Sequence, residues 1–246
     1  MADYRDNPFR QGSVTGGVAQ AEIDQGLRSY MLRVYNYMAL ALAVTGITAL
    51  GTATYAMSNP AVAQLLYGSG LRYVIMFAPL AFVMVLSFGI NKLSYGAMHA
   101  TFWAFAAVMG ISLSSIFLVY TGASIAQTFF VTAASFGALS LYGYTTKRDL
   151  SAMGSFLMMG LFGLIIASIV NIFLASSAMQ FAISVIGVLI FAGLTAYDTQ
   201  RIKAMYDYVA NDETMMGRTA IMGALSLYLD FINMFMFLLS FLGNRE

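Results

Sequence analysis

The sequence predicts an all-α membrane protein, a bundle of seven transmembrane helices. Three observations carry that reading. Of 246 residues, 60% are hydrophobic and 9% charged, whereas a soluble domain carries about a quarter charged residues. Charged residues are absent from four long stretches, 34–71, 73–91, 93–146 and 150–197. Turn residues cut the longer stretches into pieces that fit the roughly 20 residues needed to cross a core about 30 Å thick.

Residues 1–29 are polar and include Arg5, Arg10, Glu22, Asp24 and Arg28. They lack an apolar h-region, so they read as a flexible tail rather than a cleavable signal peptide, with residues 30–246 forming the transmembrane domain. Span one, 33–57, begins as the charges stop and ends at Ser58-Asn59-Pro60. Span two, 72–91, follows Gly68-Ser69-Gly70 and stops before Lys92. Pro79 inside it predicts a kink, with the freed carbonyl satisfied by neighbouring helices. Spans three and four, 97–119 and 124–144, are divided by Thr121-Gly122-Ala123-Ser124, and Lys147-Arg148-Asp149 closes the fourth. Ser176-Ser177 separates span five, 153–175, from span six, 180–201. A polar stretch, 201–218, precedes span seven, 220–242. Small residues four apart, Ala39/Ala43, Ala133/Gly137 and Ala192/Ala196, predict close helix contacts.

Charge sets orientation and excludes several functions. With the N-terminus inside, the cytoplasmic segments hold Arg5, Arg10, Arg28, Arg33, Lys92, Lys147, Arg148, Arg201, Lys203 and Arg218, against Arg72 and Arg245 outside. This asymmetry predicts a cytoplasmic N-terminus, and seven spans then put the C-terminus on the other side. The net charge of +1 argues against a nucleic-acid partner, which needs clustered Lys and Arg. The lipid bilayer is the partner the composition implies. No cysteine is present, which excludes disulfides, thiolate metal sites and a cysteine nucleophile. The single histidine, His99, gives no basis for a His-rich metal site or a Ser-His-Asp triad, and reads as an interfacial residue. Nothing implies a cofactor.

Two carboxylates stand out. Asp198 lies near the cytoplasmic end of span six, and Asp230 about ten residues into span seven, or about 15 Å along the helix. An ionisable group at that depth is costly and rarely faces lipid. Because spans six and seven are antiparallel, both aspartates fall in the same half of the membrane. Ser226, Asp230 and Asn233 share one helix face, and Thr195, Asp198 and Arg201 form another polar stripe. If the stripes face each other, the carboxylates share a proton and titrate as a unit, which would sense pH. Ionised, they present oxygen ligands to a hard cation such as calcium. Two carboxylates are few for a tight cage, which points to transit or gating. Bland readings stand beside this one: Asp198 paired with Arg201 at the interface, and Asp230 held neutral by Ser226 and Asn233 as packing glue. Ser168 and Asn171 on span five extend a polar path or make ordinary interhelical hydrogen bonds.

At Ala196-Tyr197-Asp198-Thr199-Gln200 and Ala224-Leu225-Ser226-Leu227-Tyr228-Leu229-Asp230-Phe231-Ile232-Asn233 the chain resembles the Bax-inhibitor-1 family, of bacterial type. The resemblance covers about residues 30–243. It implies a seven-helix bundle with the last helix central, enclosed by the other six. It also implies a pH-sensitive calcium leak with a pair of aspartates as sensor and gate, here Asp198 and Asp230. Bacterial relatives are further reported as modulators of a membrane-bound quality-control protease, which the polar tail would serve as a partner-binding segment. Such a member would sit in the bacterial inner membrane. Some bacterial members place an arginine at the end of span two, where this chain has Lys92, and some an acidic residue within span two, where it has none. An intramembrane aspartyl protease is disfavoured, because Leu227-Tyr228-Leu229-Asp230 lacks the Gly-x-Gly-Asp pattern and no Pro-Ala-Leu segment follows. The expectation is a protein that is not an enzyme. A proton-coupled exchanger built on the same carboxylates is a further reading.

Overall fold

The computed structural model describes residues 9–244, with side chains from Gln25 onward. Among the described residues, seven long helices are apolar enough to cross a membrane. They are named here α1 (Phe9–Ser58), α2 (Leu71–Gly89), α3 (Tyr95–Leu113), α4 (Gly122–Thr145), α5 (Ser151–Leu174), α6 (Ser177–Val209) and α7 (Glu213–Leu242). Met1–Pro8 of the predicted tail lie outside the described residues. Helix α1 is continuous from Phe9 through the first span to Ser58.

Local chemistry fixes the helix starts. Asn59 accepts the Ala61 N–H at 3.2 Å, with Pro60 opening a short turn, Pro60–Ala63. Proline fits there because its missing N–H would have no helical partner. A π-helical turn, Gln64–Gly68, leads on to α2. Side-chain oxygens of Ser94, Thr121, Ser176 and Asp212 cap α3, α4, α6 and α7 respectively, each satisfying one orphan N–H. A 3-10 turn, Ser114–Leu118, extends α3. Helix α5 ends on Ala175 in the left-handed region, with φ of 49°, a common helix stop. Pro79 lies buried inside α2, which continues through it.

The polar stretch 201–218 is not a loop. Helix α6 runs on to Val209 and α7 begins at Glu213. Charges there mark where the bilayer ends, not where the helix ends. Backbone groups are satisfied within a helix on either side of that boundary, so only residues 210–212 are needed to turn the chain.

The last helix is the central one. Ala220, Ile221, Ala224, Leu227, Tyr228 and Leu239 of α7 are all fully buried. Helices α1, α3, α4 and α6 pack directly on α7, while α2 packs on α3 and α5 on α6. These four helices make the main contacts with α7, with α2 and α5 forming the outer part of the bundle. Contact is tightest where glycine removes the side chain. A Cβ on Gly143 of α4 would lie 2.2 Å from the Ala196 carbonyl oxygen of α6, and one on Gly110 of α3 would lie 2.5 Å from that of Thr45 on α1. Two of the predicted small-residue contacts fail. Ala39, Ala43 and Gly137 are exposed, and a Cβ on Gly137 meets nothing within 4 Å.

The outer surface is apolar. Phe173, Ile172, Phe88, Ile47 and Phe130 are each more than 70% exposed. Side chains of that size in such numbers are tolerated by lipid and not by water. The chain is an integral, multi-pass membrane protein.

One end of the bundle gathers the cations. Gln200 of α6 donates to the Arg148 carbonyl, Lys203 to the Tyr144 carbonyl and Arg218 of α7 to the Ile90 carbonyl. Tyr30 of α1 meets the Tyr206 ring of α6 there. At the opposite end the Thr121 N–H donates to the Asn244 carbonyl.

Candidate functional site

Helices α5, α6 and α7 frame a cleft of about 510 Å³. Asp198 reaches it from α6, and Ser226, Asp230 and Asn233 from α7. The predicted stripe on α7 thus faces the cleft whole, and the carboxyls of Asp198 and Asp230 line the same cleft from adjacent helices. Ser168 joins them from α5, its hydroxyl donating to the Leu164 carbonyl. The remaining walls are apolar, with Ile165, Ile169, Phe191 and Phe237 among them.

Asp230 is 4% exposed. Its Oδ2 is buried and accepts no hydrogen bond. Asn233 donates instead to the Leu229 carbonyl at 2.8 Å, so the glue reading of Asp230 finds no bond from Asn233. Asp198 is half-buried. Arg201 is exposed and faces a separate polar hollow with Tyr197, Gln200 and Asp149. Tyr197 lays its ring where a side chain on Gly154 of α5 would sit. Lys92 is exposed in the turn between α2 and α3. The structure therefore brings together Asp198, Asp230, Ser226 and Asn233, and leaves Arg201, Tyr197 and Lys92 outside their cleft.

The rest of the first motif builds the wall behind Asp198. Ala196 offers its backbone to Gly143. The buried Thr199 hydroxyl donates to the Thr195 carbonyl at 2.8 Å and bonds Ser140 of α4 at 2.9 Å. Ser140 in turn bonds the Tyr35 hydroxyl of α1 at 2.5 Å. Gln200 clamps the α4–α5 turn through its contacts with Leu150 N–H and the Arg148 carbonyl. In the second motif Tyr228 bonds the Thr45 hydroxyl at 2.7 Å, and Thr45 donates to the Ala106 carbonyl. Phe231 packs edge-on against Phe129 and Phe136. Each motif thus fixes one aspartate by locking the residues on either side of it.

A sequence profile described as Inhibitor of apoptosis-promoting Bax1 matches residues 27–246. The chain belongs to this family. An uncharacterized protein of Rickettsia prowazekii is 51% identical over 223 residues, covering 91% of this chain and 92% of the relative. An uncharacterized protein of Caulobacter vibrioides is 49% identical over 253 aligned positions, 98% and 100% of the two chains. The Escherichia coli inner membrane protein YbhL is 49% identical over 223 residues, 90% and 94%. The resemblance seen in the two aspartate motifs is thus a family membership that runs through all seven helices.

Sequence reasoning missed other members of this Bax-inhibitor architecture. Arg218 ties α7 to the end of α2 at 3.2 Å. Thr199, Ser140 and Tyr35 form a buried hydroxyl chain across three helices. Their only signal was the presence of hydroxyls inside apolar runs. Asn171, predicted to extend the polar path, bonds Gln180 and the Ser176 N–H instead, in a different hollow. His99 accepts from Trp103 on Nδ1 and bonds Tyr37 on Nε2, inside an aromatic cluster away from the cleft. Among the described residues, no three His, Asp or Glu side chains converge as a metal site.

Proposed function

We propose that this protein is a pH-sensitive cation leak, with calcium the ion its oxygen ligands suit, gated by Asp198 and Asp230. The observation that carries the reading is that both carboxyls line one cleft, where Asp230 buries an unpartnered oxygen. A buried carboxyl without a donor is stable as the neutral acid or when a cation supplies the missing partner. Protons and cation compete for the same oxygens, so acidification weakens cation binding at the pair. Ser226 and Asn233 add neutral oxygens beside the carboxylates, as hard cations prefer. Ser168 widens the polar lining toward α5. Arg201 and Lys92 act at longer range as surface charges that set the potential at the cation-rich end.

The bilayer in question is the bacterial inner membrane, as the name of YbhL suggests, with the cation-rich end and the N-terminus toward the cytoplasm. The test is calcium flux into dye-loaded proteoliposomes at about pH 6 and about pH 8, a window around neutrality in which a buried carboxyl pair can titrate. Wild-type flux should differ between the two. Asp198→Asn and Asp230→Asn should each flatten that difference. If both variants keep the wild-type flux and its pH response, the pair is not the gate.

A further inference from the structure

A second cavity, of about 690 Å³, lies between α1 and α4 on the lipid-facing side. These helices both pack on α6 and α7 and leave a furrow between them. Arg28, Leu32, Tyr35 and Leu42 line it from α1, and Gly137 and Tyr144 from α4. We propose that this furrow is a binding site for one anionic phospholipid, an acyl chain lying in the furrow and the phosphate held by Arg28.

Shape, length and charge carry the assignment. Ala39 and Gly137 are exposed small residues. The added Cβ on Gly137 meets nothing, so these residues make room rather than contact. From Arg28 to Leu42 the furrow runs about 21 Å at 1.5 Å per residue. That compares with about 15 Å for one leaflet of a 30 Å core plus the headgroup layer, so its length is that of one lipid in one leaflet. The lining is nearly all apolar, and its inner hydroxyls, Tyr35 and Ser140, are already bonded to each other. They ask for no water, which suits a hydrocarbon occupant. The exposed Arg28 lies six residues before the charge-free stretch that opens at Val34, about 9 Å along the helix at 1.5 Å per residue, which is headgroup level. A guanidinium fork suits a phosphate. Behind the furrow wall, Lys203 donates to the Tyr144 carbonyl and lies over the Tyr144 ring at 4.9 Å, adding a second positive charge. Basic pockets between helices are where anionic headgroups bind.

The experiment is native mass spectrometry of the full chain in detergent, with phosphatidylglycerol or phosphatidylcholine of the same acyl chains added at equal concentration. Wild type should retain one phosphatidylglycerol per chain and prefer it several-fold, because both lipids offer the phosphate to Arg28 but only phosphatidylcholine brings a trimethylammonium cation that Arg28 repels. Arg28→Gln should remove the preference and keep residual binding of both lipids. Gly137→Phe fills the furrow from α4 and Ala39→Phe from α1. Each should lose the retained lipid while eluting as a folded monodisperse species. Equal retention of the two lipids by wild type overturns the proposal. So does undiminished retention in both filled variants, or an unchanged preference in Arg28→Gln.

Discussion

Asp230 holds a carboxyl whose Oδ2 is buried with no hydrogen-bond donor, at a cost to the fold of about 1–3 kcal/mol for a polar group left unsatisfied. An apolar residue of similar volume removes that cost. Asp230→Leu is therefore expected to raise the stability of the detergent-solubilised protein by about 1–3 kcal/mol, read from thermal unfolding. Lower stability than wild type would show that the carboxyl is satisfied after all. Asp149 is the contrasting case, outside the spans. Its Oδ1 accepts the Ser151 N–H at 2.9 Å, and the hydrogen bonds of Ser151 hold its carboxyl below the usual aspartate range. A carboxyl held below its unfolded value of about 3.9 contributes its full stability above that value. The contribution is lost as pH falls through the folded value. A carbon-detected NMR titration should place the Asp149 midpoint below about 3.9, and Ser151→Pro, which deletes both the hydroxyl and the N–H that face the carboxyl, should move it up. The two aspartates were legible in the sequence because a charge inside an apolar run is conspicuous. Their neighbours were less so. Periodicity put Ser226 and Asn233 on the right face, and it also put Arg201 beside Asp198, yet the Arg201 side chain is long enough to turn to the hollow shared with Tyr197.

At the scale of elements, span number and most span limits follow from the charge-free runs and the capping residues. What the runs could not give is where α6 ends and α7 begins, because a helix continues unchanged from lipid into water. Nor could they give the partners of small residues. Small-residue spacing is identical whether the helix meets a neighbour or a furrow. Gly143 and Gly137 of α4 separate the two cases. A Cβ at Gly143 strikes the backbone of Ala196, whereas one at Gly137 meets open space. Gly143→Ala should destabilise the protein by about 1–3 kcal/mol, the usual cost of overpacking. Gly137→Ala should be neutral or stabilising by up to about 1 kcal/mol, from helix propensity alone. Paired thermal melts in one detergent compare them directly, and equal effects would refute the distinction. The hydroxyl chain from Tyr35 through Ser140 to Thr199 joins α1, α4 and α6, and no pattern within a single helix could have announced it.

For the whole molecule, the strongest constraint is that a chain with seven crossings must alternate its turns between two sides. Cations gather at the ends of α2, α4 and α6 and the starts of α5 and α7, with Arg72 at the other end. If the positive-inside rule governs insertion, the turns holding Lys92, Lys147 and Asn211 are cytoplasmic, and those holding Asn59 and Ser176 are not. The absence of native cysteine makes this directly measurable. Single substitutions Lys147→Cys, Asn211→Cys and Asn59→Cys should leave the fold intact, since all three positions are exposed or half-buried turn residues. In intact cells or right-side-out vesicles, a membrane-impermeant maleimide should label Asn59→Cys alone. Inverted vesicles should reverse the pattern. Labelling of Asn59→Cys and Asn211→Cys from the same side would break the seven-span topology itself. Reversal of all three would keep the spans and invert the orientation, moving the mouth of the lipid furrow and the nearer approach to Asp198 to the opposite face of the membrane.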